Sequence, residues 1–177
     1  MRVFPALALA TGIAAGLTSG QASALEACPM ERAVYALQGA PDYRLEFRPD
    51  AEMSELSRTA SPTIYFDVIG TMRHQSGAEF ASFMFYVPSS SMRKGQAASV
   101  TASDYLGEAV FPAYAFREGI EMSGMRWSGE PAPSAIIIAG AAEALGMVLP
   151  EDGNTDAPDF QLRHRMPEAP WILTECR

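Results

Sequence analysis

Residues 62–88 read PTIYFDVIGTMRHQSGAEFASFMFYVP and hold two runs of strand-forming residues on either side of a polar segment. In the first run, residues 63–70, the apolar residues Ile64, Phe66 and Val68 fall on one face, because successive side chains of a strand point to opposite sides. This alternation predicts a strand with one face buried in a core.

The second run, residues 79–87, is apolar on both faces. Its even positions hold Phe80, Met84 and Tyr86, and its odd positions hold mainly alanine, phenylalanine and valine. A strand of this kind is typical of the centre of a sheet that is covered on both sides. With the polar segment 71–78 between them, the two runs predict a β-hairpin with a long loop, which should anchor the core.

One helix is predicted, over residues 134–145. Ser134 can cap it, alanines dominate it, and Gly146 stands just past its end. The mid-helix residue Gly140 would allow close packing against a sheet. The three isoleucines at 136–138 compete with this prediction, because β-branched residues favour strands.

Several short strands are predicted around the hairpin. Pro112 makes one of them an edge or bulged strand, since proline cannot donate a hydrogen bond to a neighbour. The pattern predicts an α+β fold with a mainly antiparallel β-sheet, barrel-like or a sandwich, and about one packed helix near residues 134–145. Besides the hairpin, the candidate strands are residues 30–37 (strand or short helix), 43–48, 99–106, 110–117, 120–127, 160–165 (exposed) and 171–176.

The first 24 residues predict a cleavable signal peptide. A positive start at Arg2 precedes an apolar run over residues 3–17, and Ala22-Ser23-Ala24 supplies the small-x-small cleavage pattern. Residues 25–177 then form a single globular domain, periplasmic or secreted after cleavage. A retained N-terminal anchor is the alternative, although the apolar run is shorter than the roughly 20 residues of a membrane span.

The two cysteines, Cys28 and Cys176, lie near opposite ends of the domain. In an exported protein an even number of cysteines predicts a disulfide, which would place the two ends of the domain side by side. The alternative is a lipid on Cys28, for which Leu25 and Ala27 stand in suitable places but Glu26 does not.

The formal net charge of −8 argues against nucleic-acid binding, because a negative surface repels phosphates. It fits a basic protein partner or a divalent cation better. No stretch after the N-terminal run is apolar enough to cross a bilayer, so no membrane span is expected in the mature chain.

Candidate chemistry is sparse, and the sequence predicts no cofactor and no metal. Residues 152–156 place oxygen side chains as the start of a calcium loop does, but Ala157 replaces the turn glycine. His74 and His164 lack metal-site spacing. Met122 and Met125 could be a soft-metal pair, although methionine is ordinary core filler. The chain has no GxSxG nucleophile motif and no glycine-rich phosphate loop, so no catalytic residue is assigned.

Arginine and aromatic residues in predicted loops and edges suggest a protein-binding surface, because interfaces are enriched in both. The residues chosen are Arg73, His74, Arg126 and Trp127. The predicted function is a non-catalytic binding module of the cell envelope, for example an inhibitor of a basic enzyme. A small periplasmic hydrolase or metal-dependent enzyme is the alternative, and a structural envelope protein is a third. A deep pocket with a histidine and carboxylates would favour the enzyme, whereas a filled barrel would favour the binding module.

Overall fold

A computed structural model describes residues 25, 27–51, 55, 63–88, 98–102, 110–121, 131–150 and 152–177. Its described part contains nine strands, two α-helices and one turn of 3-10 helix. The 3-10 turn is Met30–Arg32. The strands are β1 (Ala33–Leu37), β2 (Ala40–Pro49), β3 (Thr63–His74), β4 (Glu79–Pro88), β5 (Ala98–Ala102), β6 (Val110–Arg117), β7 (Ile120–Glu121), β8 (Ala135–Ile138) and β9 (Trp171–Cys176), and the helices are α1 (Ala141–Met147) and α2 (Pro158–Arg165).

The nine strands form one antiparallel sheet in the order β5-β4-β3-β2-β1-β9-β8-β6-β7. An additional pairing between β5 and β6 joins the two sides of this sheet, so that it curls on itself like a barrel. The predicted class, α+β with a mainly antiparallel β-sheet, is therefore confirmed. Closure pairs the free edge of β5 with β6, and exposed strand edges are otherwise a route to aggregation.

The hairpin predicted around residues 62–88 is present as β3 and β4. The strands run further into the polar segment than expected, and the connection is only residues 75–78. It is closed by a hydrogen bond of 2.8 Å from the His74 N–H to the Ala78 carbonyl. Gly77 has a φ of 93°, a conformation that favours glycine.

The barrel interior is filled by large apolar side chains that lie in register across the strands. Tyr35 on β1 pairs with Leu45 on β2, which pairs with Met72 on β3, and all three are buried. In the next row Gly70 stands between Phe47 and Phe83. Because glycine has no side chain, this position leaves room inside the barrel for the two aromatic rings.

The termini of the domain are joined by the disulfide Cys28–Cys176, as predicted, with the two Cα atoms 5.6 Å apart. Strand β9 lies beside β1, with Ala33 paired to Cys176. The first and last parts of the domain are therefore adjacent strands of one sheet.

The helix prediction for residues 134–145 is wrong in its first half. Residues Ala135–Ile138 form β8, which pairs with β6 and β9, because the three isoleucines fill the sheet better than a helix. Gly140 has a φ of 81° and turns the chain. Only then does α1 begin, and it extends past Gly146 to Met147.

The prediction of an exposed strand at residues 160–165 is also wrong, since these residues belong to α2. Pro158 occupies the first turn, where its missing N–H costs nothing, and Asp159 beside it suits the positive end of the helix. Phe160 and Arg163 are buried, at the spacing of one helical face. The alternation of apolar and polar residues at 160–165 therefore does not indicate a strand.

One further strand prediction needs correction. Strand β6 is not an edge, because it pairs with β5 on one side and β8 on the other, and the Pro112 carbonyl accepts a 3.0 Å hydrogen bond from the Ala139 N–H. Residues 30–32 form a 3-10 turn before β1. Residues 103–106 and 122–127 lie outside the described part of the chain.

Helix α2 is tied to the barrel and to α1. The Tyr43 hydroxyl donates a 2.9 Å hydrogen bond to the Leu162 carbonyl. A Cβ atom at Gly146 would lie 3.4 Å from the His164 Cα, so glycine allows α1 and α2 to approach closely. Arg163 is buried between them and donates to the Val148 carbonyl at 3.3 Å.

Glu168 caps α1 with both carboxylate oxygens, at 2.9 Å from the Gly140 N–H and 3.3 Å from the Ala142 N–H. We expect Glu168→Ala to lower the free energy of unfolding by about 0.5–2 kcal/mol, the usual loss when a helix cap is removed. Urea unfolding followed by far-UV circular dichroism measures it. Glu143→Ala, an exposed change in the same helix, is the control, and an equal loss in both variants would contradict the capping role.

Burial raises the pKa of Tyr35 well above the ordinary value of 10.0, and the charge of Arg117 offsets this in part. The Tyr35 hydroxyl donates to the Pro133 carbonyl at 2.9 Å. The folded state therefore holds this proton more tightly than the unfolded state. The resulting stabilisation is fully present below pH 10 and is lost as the pH rises through the folded-state pKa.

We expect Tyr35→Phe to make unfolding less dependent on pH above 10, because the variant has no phenol to ionise at this position. At neutral pH it should cost about 1–3 kcal/mol, since the Pro133 carbonyl loses its donor. Urea unfolding at a series of pH values tests both effects. An unchanged slope above pH 10 would refute the assignment to Tyr35. Tyr43→Phe is a comparison, because burial also raises the pKa of Tyr43.

Candidate functional site

Charged side chains occupy the outer face of the sheet on β9, β2 and β3, with the uncharged strand β1 between β9 and β2. On β2, the outward residues Arg44, Glu46 and Arg48 alternate with the buried residues Leu45 and Phe47. This alternation is what a strand with one face in the core and one towards solvent requires. The same strands therefore supply both the core and a polar surface.

A recess of about 220 Å³ opens on this outer face, and we call it the arginine recess. Val34 and Thr71 are buried and lie towards its floor. The lining as a whole comes from the 3-10 turn, the strands β1, β2 and β3, and Arg177 after β9. Arginines are the most numerous charged residues in it. The lining residues are Glu31, Arg32, Val34, Glu46, Phe47, Arg48, Thr71, Arg73 and Arg177.

Three of the arginines stand side by side at one end of adjacent strands. The Arg177 N–H, just past β9, donates to the Arg32 carbonyl at 2.9 Å, so these residues are neighbours. Val34 on β1 pairs with Glu46 on β2. Because the strands are antiparallel, the residues two positions away from this pair, Arg32 and Arg48, lie at the same end.

The carboxylates neutralise only part of this positive charge. Arg177 pairs with Glu46 at 3.2 Å and with Glu175 at 3.1 Å. Hydrogen bonding to Glu175 is the main reason why the pKa of Arg177 is raised. Arg32 and Arg48 form no ion pair with any residue of the described part of the chain.

Glu31 is the remaining acidic group of the recess. One of its oxygens, Oε2, is buried and accepts no hydrogen bond from a described residue. The lining as a whole has four arginines and two glutamates, which gives it a local charge opposite in sign to the net charge of the chain.

The structure places the sequence-predicted residues Arg73 and His74 on different sides of β3. Arg73 faces the recess and forms a 2.8 Å ion pair with Glu79 across the hairpin. His74 points the other way, as successive strand residues do. Its ring contacts Tyr43 edge-on at 5.1 Å, and its Nδ1 lies 2.9 Å from the Ser76 hydroxyl. The other two candidates, Arg126 and Trp127, lie outside the described residues.

The possible metal ligands are engaged in local contacts. In the loop at residues 152–156, the Asp152 carboxylate accepts the Asn154 N–H at 2.9 Å, and the Asn154 side chain accepts the Asp156 N–H at 3.1 Å. The ring of His164 stacks on Phe160 at 5.6 Å. Among the described residues, no three of His, Cys, Asp and Glu come together as a metal site would need. Met122 and Met125 lie outside the described part.

Sequence reasoning missed Arg32, Arg48 and Arg177 as site residues. These three residues are separated along the chain, and each is an exposed arginine of a kind that is common at protein surfaces. The alternation in residues 43–48 marks Arg48 as outward-facing, but only strand order brings it beside the two chain ends. The predicted disulfide between Cys28 and Cys176 could have indicated that Arg32 and Arg177 are neighbours, because each arginine is close in sequence to one of the two cysteines.

Compared with protein-family models, with curated proteins and with solved structures, the chain shows no match to any of them. None of the described helices has the length and apolar character needed to cross a membrane. The function must therefore be argued from the residues alone.

Proposed function

We propose that the protein is a non-catalytic binding module of the cell envelope, exported through a signal peptide at residues 1–24 and active in the periplasm or outside the cell. The outer face around the arginine recess is its contact surface. Export is supported by the Cys28–Cys176 disulfide, which is compatible with an oxidising location.

The observation that carries this proposal is the contrast between the two sides of the sheet. The described interior is filled by side chains such as Tyr35, Phe80 and Phe83, each with 0% of its surface exposed. A filled barrel leaves little room there for a substrate. The polar groups instead converge on the outer face, where a partner can reach them.

A partner that is basic overall is favoured by the net charge of the chain, and it would contact the positive recess through an acidic segment of its own surface. The formal net charge is −8, and exposed carboxylates at Asp152, Asp156 and Asp159 surround the start of α2. Long-range attraction between opposite charges speeds association and is screened by salt. Binding to such a partner should therefore weaken as the ionic strength rises.

Photo-crosslinking in intact cells tests the contact surface. A photoreactive amino acid replaces Arg73 in the full chain, and in a matched control it replaces Glu118, which is exposed in the turn between β6 and β7. We expect a discrete adduct with one envelope protein from position 73 and none from position 118. Absence of an adduct at position 73, or the same adducts from both positions, would count against the proposed surface.

Export has a separate test. Cell fractionation followed by N-terminal sequencing of the purified protein should give a mature chain that begins at Leu25 in the envelope or secreted fraction. A cytoplasmic protein with an intact N-terminus would refute export. A protein lipidated on Cys28 could not form the observed disulfide, so mass spectrometry of the same sample distinguishes these two states.

A further inference from the structure

We infer that the arginine recess binds a small oxyanion, a phosphate group or a dicarboxylate, through the guanidinium groups of Arg32 and Arg48. This inference goes beyond the proposed partner binding. The recess could hold a small oxyanion in the absence of any partner protein.

The first argument is the arrangement of like charges. Arg177, Arg32 and Arg48 lie next to one another at the same end of three adjacent strands and line one recess. Like charges on neighbouring strands are destabilising unless an opposite charge compensates them. Carboxylates compensate Arg177, but no described residue compensates Arg32 or Arg48.

The second argument is the chemistry of the donors. A guanidinium group offers a planar set of N–H donors that matches the spacing of carboxylate and phosphate oxygens. Arg32 and Arg48 therefore supply several directed donors around one space of about 220 Å³, enough for a small anion. Thr71, whose hydroxyl lies 3.4 Å from that of Ser82, adds a polar group towards the floor.

The third argument is charge balance. Glu79 pairs with Arg73, and Glu46 and Glu175 pair with Arg177, which leaves Arg32 and Arg48 against Glu31 and gives the described lining an excess of positive charge. An anion would compensate this excess. Glu31 opposes any anion, because it carries the same sign and has no ion-pair partner among the described residues. Its removal should therefore strengthen binding, which is a result opposite in direction to that of the arginine variants.

Side-chain NMR of the purified mature protein tests the inference. Inorganic phosphate and succinate are titrated separately, at constant ionic strength, while the arginine Nε–Hε signals are followed. We expect saturable shifts of Arg32 and Arg48 with at least one of the two anions. Saturation by phosphate alone identifies a phosphate site, and saturation by succinate alone identifies a carboxylate site. Shifts that grow linearly with both anions, without saturation, would overturn the inference.

Variants give an independent readout. Arg32→Gln and Arg48→Gln should each weaken binding about fivefold, the effect of losing one partly exposed charge-assisted hydrogen bond. Glu31→Gln should tighten binding by a similar factor. Arg165→Gln, an exposed change on α2, is the matched control and should have no effect. Equal affinity in the wild type and both recess arginine variants would contradict the assignment. Crosslinking at position 73 does not depend on oxyanion binding. A failure of oxyanion binding would therefore not contradict the partner proposal.

Discussion

Replacing both cysteines, as Cys28→Ala with Cys176→Ala, is expected to lower the free energy of unfolding by about 2–5 kcal/mol. The disulfide closes a loop in which its two cysteines are 148 positions apart. In the chain-entropy model, such a long loop gives a stabilisation of at most about 5 kcal/mol, because the bond restricts the unfolded chain. Since small domains are only marginally stable, a loss of this size unfolds a large fraction of the molecules at 37 °C.

Urea unfolding of the double variant and of the wild type, with and without reductant, measures this effect. The reduced wild type should lose about as much stability as the double variant, which shows that the bond and not the alanine side chains is responsible. The m-value should rise in both, because the unfolded chain exposes more surface without the cross-link. An unchanged urea midpoint after complete reduction would refute the structural role.

The disulfide should also affect the arginine recess. Arg177 follows Cys176 directly, and its backbone N–H is bonded to Arg32. Without the cross-link, this end of the chain is held by the hydrogen bonds of β9 and by the contacts of Arg177 with Arg32 and Glu46. Reduction should therefore weaken oxyanion binding by more than the loss of folded protein alone would explain. NMR titration of the reduced, still folded protein measures the difference.

Phe83→Ala is expected to cost about 3–5 kcal/mol, the range for truncation of a buried aromatic residue. The Phe83 side chain is fully buried and lies opposite Gly70, which has no side chain to fill the space that would be left. The cavity should therefore collapse poorly, and the loss should fall at the upper end of that range.

Thermal and urea unfolding of Phe83→Ala measure this loss, with Ser82→Ala as the control on the opposite face of the same strand. Ser82 is only half-buried, and its variant should lose much less stability than Phe83→Ala. If Phe83→Ala does not fold, Phe83→Leu provides the measurement, with a smaller loss that still exceeds that of Ser82→Ala. Similar losses at the two positions would show that Phe83 is not a core residue.

Local patterns in the chain were enough to predict the hairpin. The alternation of apolar and polar residues in 63–70 and the doubly apolar run in 79–87 reflect the two-residue period of strands, which depends on the backbone alone. The closing strand at residues 171–176 was also predicted from the sequence. The disulfide followed from cysteine count and expected compartment, without any knowledge of the fold.

The helix prediction at 134–145 gave the capping residues and alanines more weight than the three isoleucines, which favour the strand that pairs with β6 and β9. At residues 160–165, tertiary context overrides local preference. Residues 160–165 alternate like a strand, yet they form a helix because Pro158 starts one and Phe160 packs against the protein. Propensity is a weak prior against such packing.

The sequence was enough to predict the strand-rich class, the central hairpin, the bond between the two ends of the domain and the negative net charge. The folded chain was needed to show that Arg32, Arg48 and Arg177 share one recess, and that the adjacent residues Arg73 and His74 face opposite sides of the sheet. The reason is physical: strand period and cysteine pairing are local or pairwise properties, whereas a surface site depends on strand order and register, which the whole core sets together.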